Sequence, residues 1–232
     1  MHIIGNRFLF TAVLSWLFLS SCSADLSTAP SADKPKKAYS SDFPDLINDF
    51  QQLSSVQFMG RKTTTEGSVR AQQFIVDALT HANVLPFDEK YIHQFTFEKR
   101  GQELIGSNII GFVPSVVKSC QHFIVLSAHY DHLGQIGNRR TYLGADDNAS
   151  GTAALLSIAK HLNSKPNNHN YIVLFTDAEE MNLKGAKAFI NAYPKLMQQT
   201  TININMDMLS GDKNTKRLHY FSYGLDKIEG LK

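Results

Sequence analysis

The sequence predicts an α/β protein, a three-layer α/β/α arrangement around a mixed, mostly parallel central sheet. Three observations predict it. Two continuous apolar runs, His122–Ala128 and Tyr171–Thr176, suit strands buried on both faces. Between them, Ala149–Leu162 carries small and apolar residues at helical spacing. Strand-like and helix-like patterns alternate along the chain, as crossover connections between parallel strands require. With 232 residues, 43% hydrophobic and 19% charged, the chain is large enough for a sizeable core. Its net charge of +2, with no Lys/Arg-rich run interleaved with aromatics, argues against nucleic acid as a partner.

The N-terminus has a different character. Met1–Arg7 carries one Arg and no acid, and Phe8–Leu19 is almost wholly apolar. That length fits a signal-peptide core and is short for a bilayer span. Leu19-Ser20-Ser21-Cys22 follows and resembles the bacterial lipobox, in which cleavage leaves the Cys as a lipid-bearing N-terminus. Residues 1–21 therefore read as a lipoprotein signal peptide and Cys22 as the anchor to a membrane. Several acyl chains would hold the protein stably, at about 0.8 kcal/mol per buried CH₂. Ala24 is not the Asp that resembles an inner-membrane retention signal, so the expectation is an outer-membrane lipoprotein facing the periplasm. Residues 22–41, rich in Ser, Ala, Pro, Lys and Asp, have too little apolar content to pack and read as a flexible tether. Once Cys22 is used, Cys120 stands alone and can form no internal disulfide.

Residues 42–232 read as one domain. Asp42–Val56 is expected to be a helix with Phe43, Leu46, Ile47, Phe50 and Leu53 on one face, and Glu66–Ala82 a second with Val69, Phe74, Ile75, Ala78 and Leu79. Gly60, Arg61 and Thr63–Thr65 form the loop between them. Tyr91–Phe97 alternates as a half-buried strand, and Leu104–Val113 is another, bounded by Pro114. After the strand His122–Ala128, the helix Ala149–Leu162 has Asn148 or Ser150 available as its N-cap. Leu183–Tyr193 reads as a helix ended near Pro194, Ile202–Met208 as a strand, and Arg217–Tyr223 as a further one.

Four acid- or His-bearing segments fall at strand ends or just beyond, where open α/β sheets bind ligands. They are Ala128-His129-Tyr130-Asp131-His132-Leu133-Gly134, Gly144-Ala145-Asp146-Asp147-Asn148-Ala149-Ser150-Gly151, Asp177-Ala178-Glu179-Glu180 and Asn205-Met206-Asp207-Met208. Each alone is weak, because paired acids are common on solvated surfaces. Several carboxylates gathered at buried strand ends face a desolvation cost that cations offset.

The order and spacing of these segments resemble the M28 family of di-zinc aminopeptidases, over roughly Arg61 to Asp207. The resemblance implies that His129 is a zinc ligand and that Asp131 hydrogen-bonds its other ring nitrogen. It implies that Asp147 bridges two metals, followed by a cis peptide bond to Asn148. Glu180 would ligate the second metal, Asp207 would complete the first, and Glu179 would be the general base. The two zinc ions would sit ~3.5–4 Å apart, activating water for hydrolysis of N-terminal residues from peptides.

In the family, the second metal is closed by a His far downstream of the final Asp. Here the only later one is His219, which reads as a strand residue, so the expected second set holds only Asp147 and Glu180 and the domain reads as incomplete at its C-terminus. His132 could stand behind the ligands, and Tyr130 reads as packing. Two other readings stay open: a non-catalytic protein of the same fold, and a glutaminyl cyclase with a single zinc. The run Asp147-Asn148-Ala149-Ser150-Gly151 looks more like the peptidases.

Overall fold

The computed structural model describes residues 44–137 and 140–210. The expected signal peptide, Cys22, the tether, the strand Arg217–Tyr223 and His219 lie outside the described residues, as do Asp42 and Phe43 of the first helix.

The chain opens with helices α1 (Pro44–Leu53) and α2 (Glu66–His81). A short strand β1 (Leu85–Pro86) precedes the hairpin of β2 (Ile92–Lys99) and β3 (Gln102–Val113). Strand β4 (Phe123–His129) leads into a small hairpin, β5 (Gly134–Ile136) and β6 (Arg140–Tyr142). Then come α3 (Gly151–Asn163), β7 (Asn170–Thr176), α4 (Lys184–Ala192), α5 (Pro194–Gln199) and β8 (Thr200–Asn205). Among the described residues no helix is long and apolar enough to cross a membrane.

The main sheet runs β1-β3-β7-β4-β8, with β2 also paired to β3. Strands β7, β4 and β8 are parallel, whereas β3 is antiparallel to β1, β2 and β7. The sheet is thus mixed, with parallel pairing confined to its β7-β4-β8 side. This is the mixed sheet expected: β1, β2, β4, β7 and β8 run in one direction and β3 in the other.

Alternate strand residues face opposite helix layers, as the two-residue strand period dictates. Leu126 and Ala128 of β4, with Val173 and Phe175 of β7, pack against Leu53, Ile75, Leu79, Leu155 and Leu156 of α1–α3. Val125, Ile172 and Leu174 face the other way, against Phe189 of α4 and Leu196 of α5. Each such fully buried side chain contributes roughly 1.5–3 kcal/mol. Two residues expected on apolar helix faces stand outside this core: Ile47 is 49% exposed and Val69 59%. The expected helix Leu183–Tyr193 is bounded as Lys184–Ala192, and Pro194 starts α5 rather than ending structure, as its fixed φ allows at a first helical position. Strand β8 stops at Asn205, so Asp207 lies past its end.

This topology positions the site. Because β4, β7 and β8 are parallel, His129, Asp177 and Met206-Asp207 leave the sheet at the same edge.

Candidate metal centre

His129 is the last residue of β4 and is 3% exposed. Its Nε2 lies 3.2 Å from Asp147 Oδ1 and 3.3 Å from Asp207 Oδ1. Those spacings match the ~3.3 Å edge of a tetrahedron built on zinc bonds of ~2.0–2.1 Å. The other oxygen of Asp147 faces a second imidazole, with Oδ2 3.7 Å from His132 Nδ1, which is itself 2.8 Å from Glu180 Oε1. Two donor triplets result, His129/Asp147/Asp207 and His132/Asp147/Glu180, each with its atoms within 4.8 Å of one another. They share the Asp147 carboxylate.

The sequence expectations meet this geometry residue by residue. His129, Asp147 and Asp207 come together as one set, and Glu180 joins Asp147 on the other side. His132, expected behind the ligands, instead presents Nδ1 to the second triplet. Its signal in the sequence was its place three residues after His129. In an extended strand those two side chains would point oppositely; here β4 ends at His129, and the turn that follows brings both rings to one side.

Asp131 is corrected in its contact. The Nδ1 of His129 lies 3.1 Å from the Asp131 backbone carbonyl, while the nearer carboxylate oxygen is 3.6 Å away. The carboxylate is turned elsewhere, accepting the backbone N–H of Glu179 at 3.0 Å and of Glu180 at 3.4 Å. Asp131 is fully buried, and it fixes the Glu179-Glu180 turn as well as bordering the imidazole.

The Asp147 turn, Ala145–Ser150, carries the cis peptide bond between Asp147 and Asn148. Asn148 is fully buried and fastens the turn on two sides. Its Oδ1 accepts the N–H of Gly151, capping α3, and that of Met208 at 3.2 Å; its Nδ2 donates to the Met206 carbonyl at 3.0 Å. Ser210 N–H reaches Asp146 Oδ1 at 3.1 Å. The turn bearing Asp147 is therefore stapled to the segment bearing Asp207.

Arg61 was legible only as a loop residue, yet it is fully buried. Its guanidinium donates to the carbonyls of Tyr130, Leu53, Leu143 and Gly144, which ties the loop after β4 to the turn before Asp147. Burial pushes its pKa down to about 10, opposed by Asp131 and Asp147, and it stays charged at neutral pH. Asp177 lies deeper still, 1% exposed, accepting from the Ser107 and Ala178 amides and the Thr63 hydroxyl. Burial, then the neighbouring Asp131 charge, pushes its carboxyl up to about 6.

The electrostatics fit cations. Among the described residues, the ion pairs of Asp147, Asp207 and Glu180 are with His129 and His132 only. Burial disfavours a charged His129, but the Asp131 and Asp207 carboxylates outweigh it and push its pKa up to about 10. The hydrogen bond from His129 holds Asp207 below the usual range. Burial raises Glu179, with Asp131, Glu180 and Asp207 adding to the rise and His129 opposing it. A cluster this anionic, with imidazole nitrogen and carboxylate oxygen donors, suits divalent metals such as zinc. Beside His129, Glu179 and Asp207 a cavity of about 290 Å³ opens, walled by Val125, Leu174, Leu183 and Phe189 among others.

Fold and site define a class: an α/β protein with a candidate two-part cation centre at the carboxyl ends of its parallel strands. The sequence profile of Peptidase family M28 matches residues 108–231, more than half of the chain, and the chain belongs to that family. It is 30% identical over 105 residues to Aminopeptidase YwaD of Bacillus subtilis, a match covering 44% of this chain and 21% of that protein. The chain thus spans about a fifth of that relative's length. Among solved structures, a glutaminyl cyclase of Fimbriiglobus ruber aligns with a TM-score of 0.62 at 20% identity, over 76% of this chain and 64% of that one. A zinc aminopeptidase of Bacillus subtilis aligns with a TM-score of 0.61 at 13% identity, over 71% and 69%. At such identities the likeness is one of fold.

Proposed function

We propose that the protein is a two-zinc aminopeptidase, removing N-terminal residues from peptides. The observation that carries this reading is the division of Asp147, whose Oδ1 faces His129 and whose Oδ2 faces His132. A carboxylate so placed is suited to two cations, and a single-zinc cyclase has no use for the second triplet. Bound there, the metals supply Lewis acidity, lowering the pKa of water and polarising a carbonyl.

The chain's own residues do the rest. Glu179 lines the cavity with His129 and Asp207, its backbone fixed by Asp131. Its carboxylate takes a proton from the attacking water and delivers it to the departing amine as the C–N bond breaks. The apolar wall of the cavity accepts the side chain of the N-terminal residue and keeps bulk water from it.

The test is Glu179→Gln assayed on aminoacyl and dipeptide substrates, with metal content measured alongside. The expected result is a loss of kcat of about 10²–10⁴-fold with zinc content unchanged. An unaltered rate removes Glu179 from the role. Ammonia release from a Gln-initiated peptide, without hydrolysis of others, makes the protein a cyclase; no turnover with one zinc or none makes it non-catalytic.

A further inference from the structure

The loop 177–185 carries Glu179 and Glu180 from the end of β7 into the start of α4. The ladder between β3 and β7 stops at the pair Ile109 and Phe175, and beyond it side chains replace backbone. Asn108 of β3 accepts the Asp177 N–H on its Oδ1 at 3.1 Å and donates from Nδ2 to the Gly185 carbonyl at 2.8 Å. One partner is a donor and the other an acceptor, which fixes the two ends of the amide. Asp177 returns the contact, its Oδ2 accepting the Ser107 N–H at 3.0 Å.

We propose that Asn108 is a positioning residue for the acidic loop: one buried amide ties the loop together at both ends and so sets Glu179 beside the cavity. The role of Glu179 rests on the aminopeptidase reading above; the clamp itself does not.

The loop needs such a tie. Ala178, Asn182 and Leu183 have φ of +54°, +73° and +58°. Non-glycine residues keep that left-handed conformation only where their surroundings hold it. Gly185 N–H donates to the Asp177 carbonyl and Lys184 N–H to that of Ala178, both at 3.0 Å. Asn108, 2% exposed, spans the same two ends from β3. The fit leaves no room: a Cβ on Gly185 would collide with the Asp177 carbonyl oxygen and stand 2.5 Å from Asn108 Oδ1. Glu179 and Leu183 both line the cavity, so loosening the ends moves the proton acceptor and a wall together. Asp131 holds the middle of the loop by the Glu179 and Glu180 amides, and Asn108 holds its ends.

The rival role is a buried amide that only satisfies two backbone groups past a strand end. It predicts lost stability with no selective effect on the loop or on turnover.

The experiment compares the wild type with Asn108→Leu, Gly185→Ala and Leu79→Ala. Leucine matches asparagine in shape but makes neither bond, and a methyl on residue 185 pushes the two ends apart with Asn108 intact. Leu79→Ala weakens the opposite helix layer and serves as the control for general destabilisation. Amide hydrogen exchange of the metal-free protein is read first, since it needs neither zinc nor substrate. The amides of Glu179, Glu180, Leu183 and Gly185 are expected to exchange about 10-fold faster relative to those of β4 and β7 in both loop variants, the equivalent of one or two lost hydrogen bonds. In Leu79→Ala that ratio stays as in the wild type. Turnover of an aminoacyl substrate at saturating zinc is read second. In both loop variants kcat is expected to fall about 10–100-fold, as for a catalytic group misplaced by about 1 Å, with KM little changed. Loop exchange that rises no more than that of the strands overturns the proposal, as does an unchanged kcat in Asn108→Leu. Gly185→Ala decides by the same criteria where Asn108→Leu fails to fold. A wild type that hydrolyses no aminoacyl substrate overturns the aminopeptidase reading instead, and the exchange measurement still decides the clamp.

Discussion

The carboxylate of Asp131 accepts the backbone N–H of Glu179 at 3.0 Å, across 48 residues of sequence. The same group accepts from Glu180 and from Thr63 Oγ1, so one buried carboxylate holds the acidic turn against the end of β4. Asp131→Ala strands these donors inside the protein. It is expected to cost about 2–4 kcal/mol in urea denaturation, since hydrogen bonds to charged groups are worth ~1.5–3 kcal/mol each. Asp131→Asn keeps an acceptor oxygen and costs less stability, yet kcat falls with KM unchanged, because the proton acceptor loses its aim. Equal losses in both kinetic constants tell against a positioning role.

Arg61 fills four carbonyl acceptors that no lysine can span from a single nitrogen. Arg61→Lys is expected to lower stability by roughly 3–5 kcal/mol, the range for breaking a buried charged network. Urea denaturation reads the loss, and a variant as stable as the wild type contradicts it.

Removing metal should soften the whole domain. Chelation by EDTA is expected to lower the melting temperature, and added zinc to restore it. Each site contributes about 2.7 kcal/mol at a free zinc concentration 100 times its Kd, or roughly 5–10 °C for a unit of this size. A melting temperature indifferent to chelator and to zinc speaks against both donor sets.

Away from the site, Asp49 packs under α3 with its carboxylate 3.0 Å from Lys160 Nζ. Burial raises its pKa despite the lysine, with Asp45 adding to the rise. A carboxyl raised in the folded state contributes stability that is fully present below its unfolded pKa and is lost as pH rises through the folded value. Asp49→Asn should therefore gain on the wild type between pH 4 and pH 7. Thermal melts at both pH values test it, and a variant that loses ground toward neutrality refutes the direction.

The lipobox-like Leu19-Ser20-Ser21-Cys22 leads us to propose a lipid-anchored envelope protein. Mass spectrometry of the mature protein is expected to find Cys22 as an acylated N-terminus; an internal, unmodified Cys22 ends that reading.

The sequence made the buried strands legible because β4 and β7 are uninterrupted apolar runs, and their chemistry-bearing residues follow directly. It hid what depends on pairing across distance. Nothing local in Leu104–Val113 announces that β3 runs antiparallel to β7. The β5–β6 hairpin, three residues a side, is too short for a period to show. Ile47 and Val69 follow the helical repeat yet face outward, because none of the described elements covers them. Arg61 sits among Lys and Thr and reads as a surface loop; only acceptors up to 83 residues away bury it. His132 was visible as a histidine, but its donor atom could be assigned only once Glu180 and Asp147 stood beside it.

The staple between Asn148 and the Met206–Met208 segment has a temporal meaning. As the chain leaves the ribosome, His129 and Asp147 emerge well before Asp207, and the turn that presents Asp147 lacks three of its fastenings until β8 has docked beside β4. The first triplet is thus complete only once the segment after β8, which carries Asp207, lies against the Asp147 turn.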